Sequence, residues 1–280
     1  MLEGTERTRV GRAAAESALI RVVHHYGARP EFVLIGGLVP ELLCSDSTML
    51  HAGTTDVDVQ VNLEIQSNTE NALRLERALL NAEFRREDEG RVWRWQTEEN
   101  GARVLVKFEL LADLDYLPNK AVIEFNECDS LGAINLRGTS YAAHDVEVRE
   151  ITRRIHGDTL RVEINVTGLA GFLLAKASAA YSRRLPKDWY DLAFVLQHNN
   201  AGGPEAAADR VRAKFGEELT GAIRSALDDM RGNFANATSQ GPTAYAEQML
   251  IDHPELDLTT LRADAVVAVA DFHDRLFQPQ

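Results

Sequence analysis

Two aspartates separated by one valine form the pattern in this chain that most strongly indicates chemistry. In the segment DVDVQV, Asp56 and Asp58 alternate with Val57, Val59 and Val61. Because side chains on a strand alternate between its faces, this spacing predicts both carboxylates on one face and the valines in the core. Two such carboxylates can bind Mg²⁺ (or Mn²⁺) together with substrate phosphates, so the pattern indicates metal-assisted transfer of a phosphate-bearing group.

A glycine pair precedes the aspartates. The apolar run FVLI ends in Gly36 and Gly37, and Pro40 then falls in the first turn of a predicted short helix, where its missing N–H costs little. Glycines at this position allow backbone N–H groups to approach a triphosphate. The glycines therefore add support for a nucleotide site, and a polar strand face preceded by turn-forming glycines is the alternative.

A second polar group interrupts apolar helical sequence further along the chain. Lys176 lies within LAGFLLAKASAAYS, and Pro186 begins the next predicted helix, on which Asp188 and Asp191 are three residues apart and share a face. Asp188 can favour a helix N-terminus electrostatically. Asp191 lies among aromatic and aliphatic residues, where a buried carboxylate needs a partner. A purely structural pair of Lys176 with Asp191 is the alternative to a role in catalysis.

With these two motifs in this order, the chain resembles the AbiEii/AbiGii (MenT-like) toxins, a group within the DNA polymerase β-like nucleotidyltransferase superfamily. The superfamily pattern is a hydrophobic strand, Gly-Gly or Gly-Ser, a short helix and D-x-D. The group adds a helical lysine, a basic stretch and D-x-x-D, and the resemblance covers about residues 30 to 200. Many relatives carry Ser or Thr where this chain has Leu38, so phosphate contact would fall to backbone N–H groups.

The resemblance implies a magnesium-dependent nucleotidyltransferase that moves a nucleotide from an NTP to an RNA 3′ end, with tRNA favoured. It implies a growth-inhibiting toxin of a type IV toxin–antitoxin or phage-defence operon, with a cognate antitoxin as a partner. Two alternatives remain open from the sequence. One is transfer to a protein or small-molecule acceptor, and the other is a catalytically silent RNA- or protein-binding module with the same fold.

The resemblance also implies roles for individual residues. Asp56, Asp58, Lys176 and Asp191 would be catalytic, with both D-x-D carboxylates binding the metal. Gly36, Gly37, Lys176 and Asp188 would bind the nucleotide. Lys176 would neutralise charge on the phosphates, and Asp191 would orient that lysine or the acceptor.

A third metal-facing carboxylate is expected on a later strand. In RVLVKFELLAD, the apolar residues alternate with Lys107 and Glu109, and Glu109 is the candidate that the superfamily resemblance implies. An exposed strand glutamate is the alternative. Asp113 or Asp115, just beyond the strand, could compete for the role.

The charge balance limits how RNA could be bound. The net charge is −13, which argues against nonspecific binding of nucleic acid by the overall electrostatic field. A local patch is still compatible with RNA, and Arg183, Arg184 and Lys187 beside the second motif are the candidate RNA-binding residues. A solvated basic face is the alternative.

Composition indicates a globular protein with 280 residues, of which 45% are hydrophobic and 26% charged. Only Cys44 and Cys128 are present, so no disulfide framework is predicted and a reducing cytoplasm is the expected location. No apolar run approaches the ~20 residues that span a bilayer. The N-terminus lacks the apolar core of a signal peptide.

The expected fold class is α/β (α+β), a DNA polymerase β-like nucleotidyltransferase fold with a small mixed sheet and a helical C-terminal portion. An α/β core over residues 1–165 would be followed by a helical domain over 166–280. Periodicity predicts a first helix within 6–26, a strand at 32–35 and a helix within 68–84 opened by Asn68 or Thr69. Further expectations are strands at 91–97 and 103–113, short β segments within 118–165, a linker at 199–204, and helices around 205–232, 243–251 and 258–277.

Overall fold

The structure is a computed structural model that describes residues 8–62, 69–88, 91–99, 104–155 and 157–278. The chain divides into two compact units. The first contains the residues up to Val39 together with Gly53–Thr167, and the second contains Pro40–Ala52 and the residues from Gly168 on. The second unit therefore includes a segment from the early part of the chain.

A mixed β-sheet organises the first unit. Its strands are β1 (Val33–Ile35), β2 (Asp56–Gln60), β3 (Arg85–Arg86), β4 (Arg94–Glu99), β5 (Val104–Ala112), β6 (Val122–Glu124), β7 (Gly132–Asn135), β8 (Val146–Ile155) and β9 (Asp158–Thr167). The main order is β3-β4-β5-β2-β1-β9-β8, with β7 paired to β5 and β6 paired to β7. The pairs β1–β9, β2–β5 and β5–β7 are parallel and the other pairs are antiparallel. The sheet is therefore mixed, as predicted.

Several helices of the described residues precede the end of this sheet. They are α1 (Arg9–Tyr26), α2 (Val39–Leu43), α3 (Thr69–Asn81) and α4 (Ser140–His144). The hydroxyl of Thr8 accepts a hydrogen bond from the Gly11 N–H at the start of α1, and Gly27, in the left-handed conformation, ends the helix. The predicted first helix and the helix after the D-x-D strand are therefore confirmed, while residues 1–7 and Asn68 lie outside the described residues.

Aromatic packing fixes the core beneath β2 and β5. Phe108 contacts the rings of Phe32 and Phe84 edge to face, with ring centroids 6.1 and 5.7 Å apart. Trp95 on the neighbouring strand is also almost completely buried. The core face of the sheet is thus separated from the face that carries the polar residues of β2 and β5.

The region expected to hold short β segments contains two ten-residue strands, β8 and β9. Val162, Ile164 and Val166 of β9 are buried and alternate with polar residues, while β8 is polar or exposed along most of its length. The register pairs every residue of β8 with one of β9, so this region contains one long antiparallel pair in addition to the short strands β6 and β7.

Helices dominate the second unit. Besides most of α2, they include α5 (Leu169–Arg183), α6 (Pro186–His198), α7 (Pro204–Phe215), α8 (Gly221–Asn233), α9 (Gln240–Asp252) and α10 (Leu258–Leu276). The predicted helical C-terminal portion is confirmed, with the helix expected over 205–232 divided in two. Among the helices of the described residues, none combines the length and the hydropathy that crossing a membrane requires.

The segment NNAGGP, expected to be a linker, is a tight connection between α6 and α7. Asn199 is buried, and its side-chain amide donates hydrogen bonds to the carbonyl oxygens of Val195, Leu196 and Gly203. Gly203 has φ 97°, a conformation that favours glycine. The glycines of this segment lie at a helix end and in a tight turn. Local sequence does not distinguish such a turn from a flexible linker, because both are rich in glycine.

A partly buried histidine at the end of α6 predicts pH-dependent stability. Burial, with the nearby His253, lowers the pKa of His198 from 6.5 to about 4. Between these values the unfolded chain binds a proton that the folded protein does not, so the free energy of unfolding rises with pH across this window and falls on acidification. We expect a loss of about 3 kcal/mol between pH 7 and pH 4 from this residue.

Denaturant unfolding of wild type and His198→Gln at pH 4, 5.5 and 7 measures this dependence. The variant should show a shallower decline below pH 6.5. A decline as steep as that of wild type would assign the pH dependence to other groups.

Candidate functional site

The D-x-D aspartates lie on β2 with the geometry that strand alternation predicts. Val57 and Val59 are completely buried, whereas Asp56 and Asp58 are partly exposed on the opposite face. β2 runs between β1 and β5, and Asp58 is opposite Ile35 on one side and Glu109 on the other. Both carboxylates therefore project from one face of the sheet in the first unit.

The glycine turn contacts one of these carboxylates. Gly36 and Gly37 begin a short 3-10 turn after β1, and Gly36 has φ 75°. A Cβ on Gly36 would lie 2.0 Å from Oδ2 of Asp58, and a Cβ on Gly37 would lie 2.9 Å from Cβ of Thr54. Both positions require glycine because no side chain fits, and at Gly36 the backbone conformation requires it as well. The backbone of Gly36 thus comes directly against the Asp58 carboxylate.

Residues outside both sequence motifs hold the Gly36–Gly37 turn in place. The Arg12 guanidinium of α1, which is almost completely buried, donates hydrogen bonds of 3.4 Å to the Leu38 carbonyl oxygen. The hydroxyl of Thr54 accepts a hydrogen bond of 3.0 Å from the Asp56 N–H. Gly53, with φ 80°, lies against Arg12, since a Cβ there would be 2.5 Å from the Arg12 Cβ. These contacts order the chain on both sides of the glycine turn, and sequence reasoning did not identify Arg12 or Thr54.

Glu109 lies on the same sheet face as Asp58, but its carboxylate is paired with a cation. It forms an ion pair with Arg94 of β4, and the two side chains are 19% and 23% exposed. Arg94 also contacts Glu87 at 3.2 Å, and Lys107 contacts Glu87 at 3.6 Å. Burial would raise the pKa of Glu87, but hydrogen bonds from Arg91 and Arg94 outweigh it and lower the pKa. The side chains beside the aspartates on this face therefore form a network of positive and negative groups.

The competing carboxylates beyond β5 have other uses. Asp113 accepts hydrogen bonds from the backbone N–H groups of Gly138 and Ser140 at the start of α4, while Asp115 is fully exposed and pairs with Arg137. Within the described residues, no three His, Cys, Asp or Glu side chains are grouped as ligands of one metal ion. The carboxylate pair on β2 is the donor set that suits Mg²⁺, which commonly uses one or two carboxylates and completes its shell with phosphates and water.

The second motif forms a buried charge cluster in the second unit. The Lys176 ammonium nitrogen lies 2.9 Å from Oδ2 of Asp191 and 3.4 Å from Oδ1 of Asp188. Both aspartates are completely buried, and Lys176 is 7% exposed. The structure therefore brings together the three residues that the second motif placed on successive helices.

A guanidinium from the basic stretch completes this cluster. Arg183 donates two hydrogen bonds of 2.7 Å to the two carboxylate oxygens of Asp188. Burial would raise the pKa of Asp188, but Lys176 and then Arg183 outweigh burial and the repulsion from Asp191, so the pKa is lowered. Asp188 is thus held as a carboxylate by two cations.

The remaining residues of the basic stretch lie on the surface. The guanidinium of Arg184 is 54% exposed and forms an ion pair of 2.8 Å with Asp229. Lys187 is exposed in the first turn of α6. The expected RNA-binding group therefore includes one arginine that holds Asp188 and another that pairs with a carboxylate.

His51 is a member of the cluster that sequence reasoning missed. Its Nε2 lies 2.9 Å from Oδ1 of Asp191, across 140 positions of sequence, and its ring is completely buried. Spacing gave no signal for this contact, because His51 precedes the D-x-D strand and the second motif begins more than a hundred residues later. The one clue is a histidine five residues before Asp56 in HAGTTDVDV.

The comparison with protein families agrees with these two motifs. The family model described as "Nucleotidyl transferase AbiEii toxin, Type IV TA system" matches residues 25–271, which is most of the chain and includes both the glycine turn with D-x-D and the buried lysine cluster. No curated protein matches the chain at a significant level. The predicted family membership is confirmed: this chain belongs to the AbiEii nucleotidyl transferase toxins of type IV toxin–antitoxin systems.

Proposed function

We propose that the chain transfers a nucleotide from an NTP to an RNA 3′ end, with tRNA the favoured acceptor, and releases pyrophosphate. The observation that carries this proposal is the contact between the Gly36 backbone and the Asp58 carboxylate, with Asp56 on the same strand face. A carboxylate pair beside a backbone turn that excludes side chains suits a metal-bound triphosphate. The expected outcome in a cell is inhibition of growth, countered by the cognate antitoxin that a type IV system implies.

In this proposal Asp56 and Asp58 bind Mg²⁺, and Glu109 is the candidate third ligand if it exchanges its contact with Arg94. When bound, Mg²⁺ would neutralise phosphate charge and favour ionisation of the acceptor hydroxyl. Gly36 and Gly37 allow the backbone to approach the phosphates. Lys176 neutralises charge that develops during transfer, and Asp188, whose buried oxygens contact Arg183 and Lys176, contributes to nucleotide binding through that lysine.

The contacts of Asp191 support one of its two expected roles. Its Oδ1 is contacted by His51 and its Oδ2 by Lys176, and the side chain is completely buried. A carboxylate with both oxygens engaged inside the protein suits orientation of the lysine better than contact with an acceptor. We therefore propose Asp191 as the residue that orients Lys176.

Incubation of purified protein with each labelled NTP, magnesium, and either total RNA or a protein extract tests the function. Label should appear in RNA of tRNA size, depend on the divalent cation and be lost on treatment with ribonuclease. Label that resists ribonuclease and follows protein would contradict an RNA acceptor. NTP binding without any transfer would favour the silent binding module.

A protein or small-molecule acceptor is the second candidate. Arg183 and Arg184 are both paired with carboxylates, and the net charge of the chain is −13. These ion pairs and the negative net charge leave little positive charge for the phosphates of an RNA to bind.

Lys187 gives the most direct test of RNA contact. Reversal of Arg183 would place a carboxylate against the buried Asp188, so Lys187→Glu is the better variant. We expect it to raise the KM for RNA several-fold and to lower the salt dependence of binding by about one unit of slope, with the KM for NTP unchanged.

Lys214→Glu is the matched control, because Lys214 is an exposed lysine of α7 outside both motifs. It should leave the RNA parameters unchanged. Equal behaviour of the two variants would remove Lys187 from the RNA-binding residues.

A further inference from the structure

His51 and Ala52 are held to α6 at two consecutive residues. The His51 ring lies 2.9 Å from Asp191 through Nε2, and the Ala52 N–H donates a hydrogen bond of 2.9 Å to the Tyr190 hydroxyl. The ring also packs against Tyr190 and Phe194, with centroid distances of 4.9 and 5.0 Å. Two ring contacts and a hydrogen bond at its edge restrict the orientation of the His51 ring.

The hydrogen bond from His51 has a defined direction. Asp191 faces the Lys176 ammonium at 2.9 Å, which favours its ionised form, and an ionised carboxylate only accepts hydrogen bonds. Nε2 of His51 therefore carries the ring hydrogen and donates a hydrogen bond to Oδ1 of Asp191. The opposite oxygen, Oδ2, accepts from Lys176.

Each carboxylate that faces Lys176 is held by a second side chain. Arg183 holds Asp188 with two hydrogen bonds, and His51 holds Asp191. We propose that His51 is a positioning residue for Lys176: by fixing Asp191 it fixes the ammonium group for nucleotidyl transfer. This inference rests on the proposed transfer function, in which Lys176 acts on the phosphates.

A simpler role for His51 would be attachment of its own segment to α6. The Tyr190 hydroxyl provides a control for that role, because it holds the adjacent residue Ala52 by a hydrogen bond from the Ala52 N–H. If attachment alone mattered, loss of either contact would have the same effect on transfer.

Three variants separate the roles. His51→Phe keeps an aromatic ring and removes the donor, His51→Gln keeps a donor at a similar reach, and Tyr190→Phe removes the contact to Ala52. We expect His51→Phe to lower kcat by about 10- to 100-fold, since small displacements of a charge-stabilising group have effects of this size. The KM for NTP should change little, His51→Gln should recover most of the rate, and Tyr190→Phe should stay near wild type.

A cycle with Lys176→Met tests whether the effect passes through the lysine. In that background His51→Phe should cause no further loss of kcat, because the group that it positions is gone. A second loss of full size, or an equal loss in Tyr190→Phe, would overturn the proposal.

A measurement that does not require activity completes the test. In protein labelled with ¹⁵N-lysine, the ammonium resonance that disappears in Lys176→Met belongs to Lys176. It should be narrow in wild type and in His51→Gln and broadened in His51→Phe, and an unchanged resonance in His51→Phe would overturn the positioning role. If wild type transfers no nucleotide but the resonance responds as expected, the positioning contact stands and the proposed function fails.

Discussion

Asp58→Asn should abolish nucleotidyl transfer with little change in the fold. The substitution keeps the shape of the side chain that lies against Gly36 and removes the charge that would bind the metal. Because a bound divalent ion contributes several kcal/mol to transition-state stabilisation, the rate should fall by about 10²- to 10³-fold or more. Initial rates of NTP incorporation at saturating magnesium, with thermal unfolding measured in parallel, give both quantities.

Glu163→Gln is the matched control for this change. Glu163 is an exposed residue of β9, so the substitution removes one negative charge from the same unit at a position with no proposed role. It should transfer at the wild-type rate. Full activity in Asp58→Asn would show that the site has been assigned to the wrong residues.

Lys176→Met should reduce both stability and transfer, for separable reasons. The substitution keeps the apolar stem but leaves two fully buried aspartates facing each other without the ammonium. Removing one partner from a buried ionic group typically costs about 3–5 kcal/mol, and we expect a loss of that size in the free energy of unfolding. If Lys176 also stabilises charge during transfer, the rate should fall by orders of magnitude beyond the folded fraction that is lost.

The double variant Lys176→Met with Asp191→Asn distinguishes the two contributions. Neutralising Asp191 removes one of the buried charges that lost its partner, so denaturant unfolding should show a large part of the stability recovered. Transfer should stay low in the recovered protein. A rate that returns together with stability would make the Lys176 cluster purely structural and remove Lys176 from the catalytic residues.

The sequence alone determined the features that depend on local periodicity. Alternation in DVDVQV predicted the shared face of Asp56 and Asp58, because residues two apart on a strand always project to the same side. Helical spacing likewise put Asp188 and Asp191 on one face of α6, and the apolar surroundings of Asp191 indicated a carboxylate in need of a partner, with Lys176 as the candidate. These relations connect residues close in sequence, so no knowledge of the rest of the fold was required.

Only the tertiary structure decided which distant side chains complete each group. His51 meets Asp191 across 140 positions because the segment Pro40–Ala52 packs with the second unit, and no local pattern encodes that packing. Arg94 pairs with Glu109 because β4 and β5 are neighbours in one register, and a shift of that register would separate them. From the sequence, Arg183 was expected to be a surface cation, yet it binds the buried carboxylate of Asp188. An arginine side chain is long and has several rotatable bonds, so the tertiary structure decides which carboxylate it can reach.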